Sequence, residues 1–367
     1  MPEAQLFVGS GDFWDAARAD IAAARQRVLV QAMTFEGDAA GLPVAEAIGA
    51  SIAADRRVLV DDYTRHVIND SFLALSRADA LHAEAEGTWA MFDRMVEQGV
   101  GVRVTNPVGR NPLAYATRNH KKLLVMDDVA WIGGINFSDH NFAWHDMMVR
   151  ITRPEVVDWL AAQFDADWQG QPASGSARIA GMDLWNLDGS GNDLAFAPLL
   201  ERFATARRSI EVLSAYPTFP FVSAMEAAAR RGVPVTIYTP RPNNKPVIRD
   251  YLLRVTRLSN LQIRLLPEMT HVKAALIDGE TLVIGTSNFD FVSHRANSEY
   301  VITTSDQALI ADFEARLFAP ARASSTLPEE GDHSRWRGFW ATLGLRAADV
   351  LVHGLSQPQR IAEWKRP

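Results

Sequence analysis

The chain contains no cysteine. Disulfides and thiolate metal sites are therefore excluded, and a reducing compartment is compatible with the composition. No run of about eighteen uncharged apolar residues occurs, so no transmembrane helix is expected and any membrane contact should be peripheral. The opening stretch MPEAQLFVGSGDFWDAARAD has no basic segment leading into an apolar run, so no secretory signal is expected. Positive charge is not in excess either: 37 Lys and Arg face 44 Asp and Glu, a net charge of -7. Nucleic-acid binders usually carry a basic face, so nucleic acid is not the expected substrate, although a local basic groove is compatible with this total. These absences together point to the cytoplasm or the inner face of a membrane.

What is present is enough for a large core. The chain has 367 residues and is 47% hydrophobic and 22% charged, which suits two domains or one duplicated fold. Duplication is visible. Arg27 to Phe35 reads RVLVQAMTF, a strand pattern, followed by a helical pattern from Pro43 to Ala54 and a strand over Arg57–Asp61. Ser209 to Tyr216 reads SIEVLSAY, followed by a helical pattern from Val222 to Gly232 and a strand over Val233–Tyr238. Strand, helix, strand in the same order twice favours parallel pairing in a layered α/β fold. A helix around Thr88–Gln98 precedes the strand Gly101–Thr105, and residues of roughly 65–87 read as an insertion on the surface or over the site mouth.

Each half then carries the same polar pattern. The first is His120-x-Lys122-x4-Asp127, then Gly133-Gly134-x-Asn136; the second is His271-x-Lys273-x4-Asp278, then Gly285-Thr286-Ser287-Asn288. Side chains at i and i+2 of a strand share a face, which pairs each His with its Lys. The apolar runs after each Lys predict a strand, a turn and a second strand that hold the His rigidly. Gly134 and Gly285 are candidates for letting backbone N–H groups approach an anion, with Asn136, Ser287 and Asn288 as further phosphate-binding groups. Two His, two Lys and two Asn suit a phosphodiester. Lys and Asn would stabilise the non-bridging oxygens, one His would attack phosphorus, and the other would protonate the leaving oxygen. The pattern calls for no metal and no other cofactor, because the fixed cations are built in.

The two segments resemble the paired HKD motifs of the phospholipase D superfamily, and the similarity spans about residues 5–320. The stretch Trp144–Ile151, WHDMMVRI, looks like the one that follows the first motif in bacterial cardiolipin synthases and related phosphatidyltransferases. Asn297-Ser298-Glu299-Tyr300 is its counterpart in the second half. The resemblance implies that Asp146 and Glu299 support the active-site His residues, and that Asp127 and Asp278 join the catalytic set, with a structural role equally open to them. It implies a phosphohistidine intermediate, with His120 as nucleophile and His271 as general acid, the reverse assignment being chemically equivalent. One departure stands out. The second motif has six residues between its Asp and Gly, and the first has five, Asp128 to Ile132. A shorter hairpin turn accounts for this.

The resemblance implies two pseudo-symmetric phospholipase D-like α-β-α lobes with mixed sheets and the active site at their interface, complete in a monomer. The expected segments are 1–175, 176–323, and a 324–367 tail made of a polar linker and an amphipathic helix. Trp336, Phe339, Trp340, Leu343, Ala347, Val350 and Leu351 recur there at helical spacing with Arg335, Arg337, Arg346 and Lys365 nearby. Such a helix either packs on the core or lies in a bilayer interface. The implied substrate is a phospholipid, with an alcohol or water as acceptor. A phosphatidyltransferase is the first reading, a phospholipase D-type hydrolase the second and a nuclease of the superfamily the third. Thr34–Glu36, Tyr216–Phe219 and Asn243–Lys245 are candidates for holding the rest of the substrate.

Overall fold

A computed structural model describes residues 3–108, 115, 117–171, 174–332 and 334–367. The chain forms two compact units, Met1–Ala173 with Gln357–Pro367, and Ser174–Ser356.

The first unit runs β1 (Ala4–Val8), α1 (Ser10–Ala23), β2 (Arg27–Ala32), α2 (Gly41–Ala50), β3 (Asp55–Asp61), β4 (Val67–Ile68), β5 (Ser71–Phe72), α3 (Asp79–Glu97), β6 (Gly101–Thr105), β7 (Leu123–Met126), β8 (Val129–Gly133), α4 (Asp139–Phe142), β9 (Met147–Ile151) and α5 (Pro154–Trp168). Its sheet has the order β1-β9-β8-β7-β2-β3-β6, closed at one edge by the C-terminal strand Ile361–Glu363. The pairs β2–β3 and β3–β6 are parallel, and the rest of the order is antiparallel. Alternation along β2 explains the layers. Val28 and Val30 join Phe13, Ile21, Val44, Ile48, Met91 and Phe92 in one apolar cluster, so α1, α2 and α3 cover that face. Gln31 points the other way and donates to Asp167 on α5.

The second unit runs β10 (Gly175–Ile179), β11 (Met182–Asp188), α6 (Asn192–Thr205), β12 (Ile210–Leu213), α7 (Phe221–Arg230), β13 (Val235–Pro240), α8 (Pro246–Leu258), β14 (Gln262–Leu266), β15 (Ala274–Ile277), β16 (Thr281–Gly285), α9 (Phe291–Arg295), β17 (Ser298–Thr304), α10 (Gln307–Phe313), α11 (Ala319–Ser324) and α12 (Arg335–Leu355). The order β11-β17-β16-β15-β12-β13-β14 repeats the first unit strand for strand and sense for sense, with β10 added outside β11. Helices α6, α7, α8 and α12 share one core with Val212, Ile237 and Val283.

Two expectations are corrected. The helix before β6 begins at Asp79, not near Thr88, so the insertion is a short β4–β5 hairpin plus two extra turns of helix. Ala85, Thr88, Met91, Phe92 and Met95 give it a continuous buried stripe, which overrides the polar run at its start. Nor is 324–367 a separate linker and helix. Thr326 bridges Leu265 through both backbone bonds, α12 belongs to the second unit, and the last eleven residues, Gln357–Pro367, belong to the first.

Candidate active site

Each motif His sits two residues before its Lys, in the segment leading into a hairpin. His120 and Lys122 are buried, and the Lys122 Nζ donates to the carbonyl oxygen of His120 at 2.8 Å. The Lys273 Nζ donates to the carbonyl oxygen of His271 in the same way. Each Lys therefore braces the backbone that carries its own His. The residue between them points to the opposite side. Lys121 is fully buried, and its Nζ meets Asp167 Oδ2 at 2.6 Å. Val272 takes that place in the second unit. The sequence reading missed Lys121, whose signal was a second Lys inside the motif.

A second missed residue is Asp61, at the end of β3. It is fully buried and accepts from the Asn119 amide at 2.6 Å, the Arg118 Nη1 at 2.6 Å, Thr105 Oγ1 at 3.1 Å and Asn106 Nδ2 at 3.3 Å. Burial pushes its carboxyl up, against the lowering effect of Arg118 and the Asn119 amide. This network ties the backbone immediately before His120 to a parallel strand end, where open α/β sheets place ligands. A carboxylate closing an apolar strand was the available signal.

The hairpins explain the unequal spacing. Leu123 pairs with Ile132 and Met126 with Val129, leaving a two-residue turn, whereas Ala274 pairs with Ile284 and Ile277 with Thr281, leaving three. The registers then make Gly133, not Gly134, the equivalent of Gly285, since Gly133 lies opposite Met148 and Gly285 opposite Val301. A Cβ at Gly133 would lie 2.3 Å from the Met147 carbonyl oxygen, and one at Gly285 would lie 2.2 Å from that of Tyr300. These glycines let two strands close up; their missing side chains do not make room for an anion. The next amide in each hairpin is also spent on the sheet: Gly134 N donates to Met147 O at 3.0 Å and Thr286 N to Tyr300 O at 2.9 Å. The Gly134 amide is therefore committed to Met147 rather than open to an anion.

The close approach brings a buried acid to each motif. Asp146 presses on Gly134, where a Cβ would lie 2.3 Å from its Oδ1. Glu299, one methylene longer, accepts instead from the hydroxyls of Thr286 and, at 2.6 Å, Ser293. Both acids are buried.

Asn136 lies against the end of β2, with its Oδ1 accepting from Thr34 N at 3.3 Å and its Nδ2 donating to Asn141 at 3.4 Å. Asn288 is buried, and among the described residues its Oδ1 has no hydrogen-bond partner. Since the two ends of an amide are assigned from their surroundings, Asn288 offers one uncommitted polar atom beside its motif. The Ser287 Oγ accepts from Phe289 N at 3.2 Å and shapes the local turn; Ile135 stands in its place in the first unit.

Asp127 and Asp278 are not brought to the histidines. Each follows its four-residue strand, roughly 16 Å along an extended chain from its Lys. Asp127 accepts from the amides of Arg25, Gln26 and Arg27 at 2.8, 2.9 and 2.9 Å, and Asp278 from those of Arg207, Arg208 and Ser209 at 2.9, 2.7 and 3.2 Å. Both have positive φ, 41° and 58°, at which Asp is tolerated. The geometry supports their structural reading and gives no support to a catalytic one.

Near His271 the second unit gathers further candidates. The Tyr216 ring lies 6.0 Å from the imidazole, its hydroxyl donates to Asn244 Oδ1 at 2.5 Å, and Lys245 Nζ sits 4.4 Å over the ring. In the first unit, Thr34 and Glu36 instead back the Asn136 loop through the bonds of Phe137 N to Thr34 O and Glu36 N to Phe137 O. Among the described residues, Glu36, Asp38 and Glu84 have carboxylate oxygens within 4.8 Å of one another. Asp38 is already engaged by the amides of Ala40, Gly41 and Asp139 at 3.1, 2.8 and 2.6 Å. Burial pushes Glu36 up to about 9, so the cluster relieves its charge by keeping a proton.

A duplicated mixed α/β unit carrying one buried His–Lys bracket per copy is the architecture of two-motif phospholipase D-like proteins. The chain belongs to the family described as "Cardiolipin synthase, PLD-like domain", which matches residues 18–168 and 199–318. It is 26% identical over 309 residues to cardiolipin synthase A of Pseudomonas fluorescens, covering 73% of this chain and 64% of that one. It is 25% identical over 332 residues to cardiolipin synthase B of Salmonella typhi, covering 80% and 74%. It is 27% identical over 289 residues to the minor cardiolipin synthase ClsB of Bacillus subtilis, covering 71% and 70%. Among solved structures, phosphatidylserine synthase of Haemophilus influenzae has the same fold, with a TM-score of 0.71 at 16% identity over 96% of this chain and 95% of the other. No helix among the described residues is long and apolar enough to cross a membrane.

Proposed function

We propose that the chain is a phosphatidyltransferase that acts on phospholipid phosphodiesters through a phosphohistidine, in the manner of a cardiolipin synthase. The observation that carries this reading is the doubled bracket: His120 with Lys122 and His271 with Lys273, each Lys bonded to its own His carbonyl and each hairpin backed by a buried acid. The reading assigns both imidazoles to one phosphate. A ring nitrogen of His120 bonds to phosphorus as the bond to the leaving oxygen breaks, and His271 gives that oxygen its proton. The acceptor alcohol then returns a proton to His271 as its oxygen displaces His120. Lys122, Lys273, Asn136 and Asn288 face the negative charge that builds on the non-bridging oxygens. Asp146 and Glu299 hold imidazole tautomer and orientation. Tyr216, Asn244 and Lys245 border His271 and are assigned to the lipid headgroup. Water as acceptor would make the same site a hydrolase.

The test is mass spectrometry of lipid products. Purified protein is incubated with phosphatidylglycerol, phosphatidylethanolamine and a small alcohol, beside His120→Ala and His271→Ala. New phosphatidyl–alcohol or cardiolipin-like species, absent with both variants, support transfer. Phosphatidic acid alone assigns hydrolysis. No lipid turnover overturns the reading and directs attention to nucleic-acid substrates.

A further inference from the structure

Helix α12 has two apolar faces, and only one is used by the fold. Gly338, Ala341, Leu345, Ala348 and Val352 pack on the core of the second unit. Gly338 is needed there, because a Cβ would lie 2.9 Å from the Arg254 Cβ and 3.2 Å from the Asp250 carbonyl oxygen of α8. The opposite stripe is in solvent: Trp336 is 74% exposed, Trp340 60%, Leu343 50%, Val350 73% and Leu351 64%. Solvated helices rarely leave two tryptophans and three aliphatic residues in line.

Beside the first turn of this stripe, α8 and α12 enclose a cavity of about 430 Å³ whose lining includes Arg254, Arg257 and Arg335. Arg254 and Arg335 also border a second hollow together with Trp336 and Phe339. The two acids of the lining have other partners, Asp332 closely and Asp250 at longer range. Asp332 is bonded by Arg241 Nη1 at 2.9 Å through both oxygens, and Asp250 faces Arg337 at 3.9 Å. None of the three arginines has an ion-pair or hydrogen-bond partner among the described residues; Arg254 only stacks over the Phe339 ring at 5.7 Å. A chain of net charge -7 thus leaves three guanidinium groups unneutralised in one place, next to its most exposed aromatic residues.

We infer that the groove of Arg254, Arg257 and Arg335 binds the headgroup phosphate of an anionic phospholipid at a bilayer surface, while Trp336, Phe339 and Trp340 enter the acyl boundary. Guanidinium forks match phosphate oxygens, and tryptophan is favoured at the water–lipid boundary. A cationic pocket contiguous with an apolar ridge is complementary to an anionic amphiphile in both parts, whereas a nucleic acid, stacking its bases on Trp336 and Trp340, would leave Leu343, Val350 and Leu351 uncovered. The site lies outside the two motifs and would hold the enzyme on its substrate surface, so this inference rests on the phospholipid reading above.

The test is co-sedimentation of the full chain with vesicles of phosphatidylcholine alone or mixed with phosphatidylglycerol. Wild type should prefer the mixed vesicles. Arg254→Gln/Arg257→Gln/Arg335→Gln should lose about tenfold to a hundredfold in affinity for them, from roughly fivefold per arginine near an anionic surface. Trp336→Ser/Trp340→Ser should lose binding to the same vesicles with its melting temperature unchanged. Turnover of a short-chain, monomeric phospholipid should be the same in all three proteins. Equal binding of wild type to both vesicles, wild-type-like binding by the triple variant, or binding of single-stranded DNA in place of vesicles would overturn the inference. Failure of wild type to turn over the short-chain lipid would instead count against the phosphatidyltransferase reading, and vesicle binding is read separately from it.

Discussion

Gly134 and Asp146 are fitted to each other: a side chain on the first would occupy the space of the carboxylate of the second, 2.3 Å away. The other unit solves the same contact differently, with Thr286 donating its hydroxyl to the longer Glu299. The acid and the residue it touches have changed together. Gly134→Ala should therefore displace Asp146 and lower kcat by about a hundredfold, as misplaced catalytic groups do, with little effect on KM. Thr286→Val should destabilise the protein by about 1.5–3 kcal/mol, the worth of a hydrogen bond to a charged group. Thr286→Ser should restore most of it. Steady-state kinetics and thermal melts of the three variants check this.

Lys121 and Asp167 form a buried ion pair under the first motif. Lys121→Met alone leaves a buried carboxylate and should cost about 3–5 kcal/mol. Lys121→Met/Asp167→Leu should recover most of that loss, because the second unit already runs the same position with apolar Val272. Denaturant titrations of the single and double variants measure the difference.

Asp127 and Asp278 should prove dispensable for chemistry. Asp127→Asn and Asp278→Asn should each keep kcat within about twofold once the folded fraction is equal, since each side chain serves strand ends. A loss of about a thousandfold would restore their catalytic assignment. Both carboxyls lie below the usual range: burial opposes ionisation, but the amides of the preceding loop outweigh it. Such groups stabilise the fold above their unfolded pKa of about 4, and that contribution is lost as pH falls through the lower folded value. The two Asn variants should differ from wild type in melting temperature at pH 7 and converge with it in acid.

Glu36 works in the opposite sense. Its burial holds it up to about 9, against the opposing bond from the Asn69 amide, with Asp38, Glu84 and Asp70 adding to the rise. The folded state keeps a proton that the unfolded chain releases above the ordinary value of 4.5. Stability from this group is full below that value and is lost as pH rises towards 9. Glu36→Gln should leave the melting temperature unchanged near pH 4. Near pH 8 it should raise it by several degrees, at about 2–4 °C per kcal/mol. An unchanged melt at pH 8 would show that Glu36 is ionised in the fold.

Much of the site was legible because its chemistry is local. His-x-Lys places two side chains on one side of an extended segment whatever surrounds it, and the repeat of that pattern marked the duplication. The succession of strand, helix and strand along the chain was legible in both halves for the same reason. The part played by the glycines was not legible: spacing to the Asn aligns Gly133 with Gly285, but only the sheet register shows that each faces a carbonyl oxygen of the neighbouring strand. The tail was half legible. Its helical period was visible, but nothing local says which of two apolar faces meets a core.

By itself, then, the sequence determined the duplicated α/β plan and the two His–Lys brackets, since these follow from period, spacing and residue chemistry; the accompanying acids were implied only by the resemblance of their segments to a family. Tertiary structure decided which glycine lets the strands close, that Asp61 and Asp167 anchor the first motif, that Asp127 and Asp278 serve strand ends, and which face of α12 is left to solvent. Each of those depends on what lies opposite a residue in three dimensions, and that is set by sheet register and helix packing rather than by neighbours along the chain.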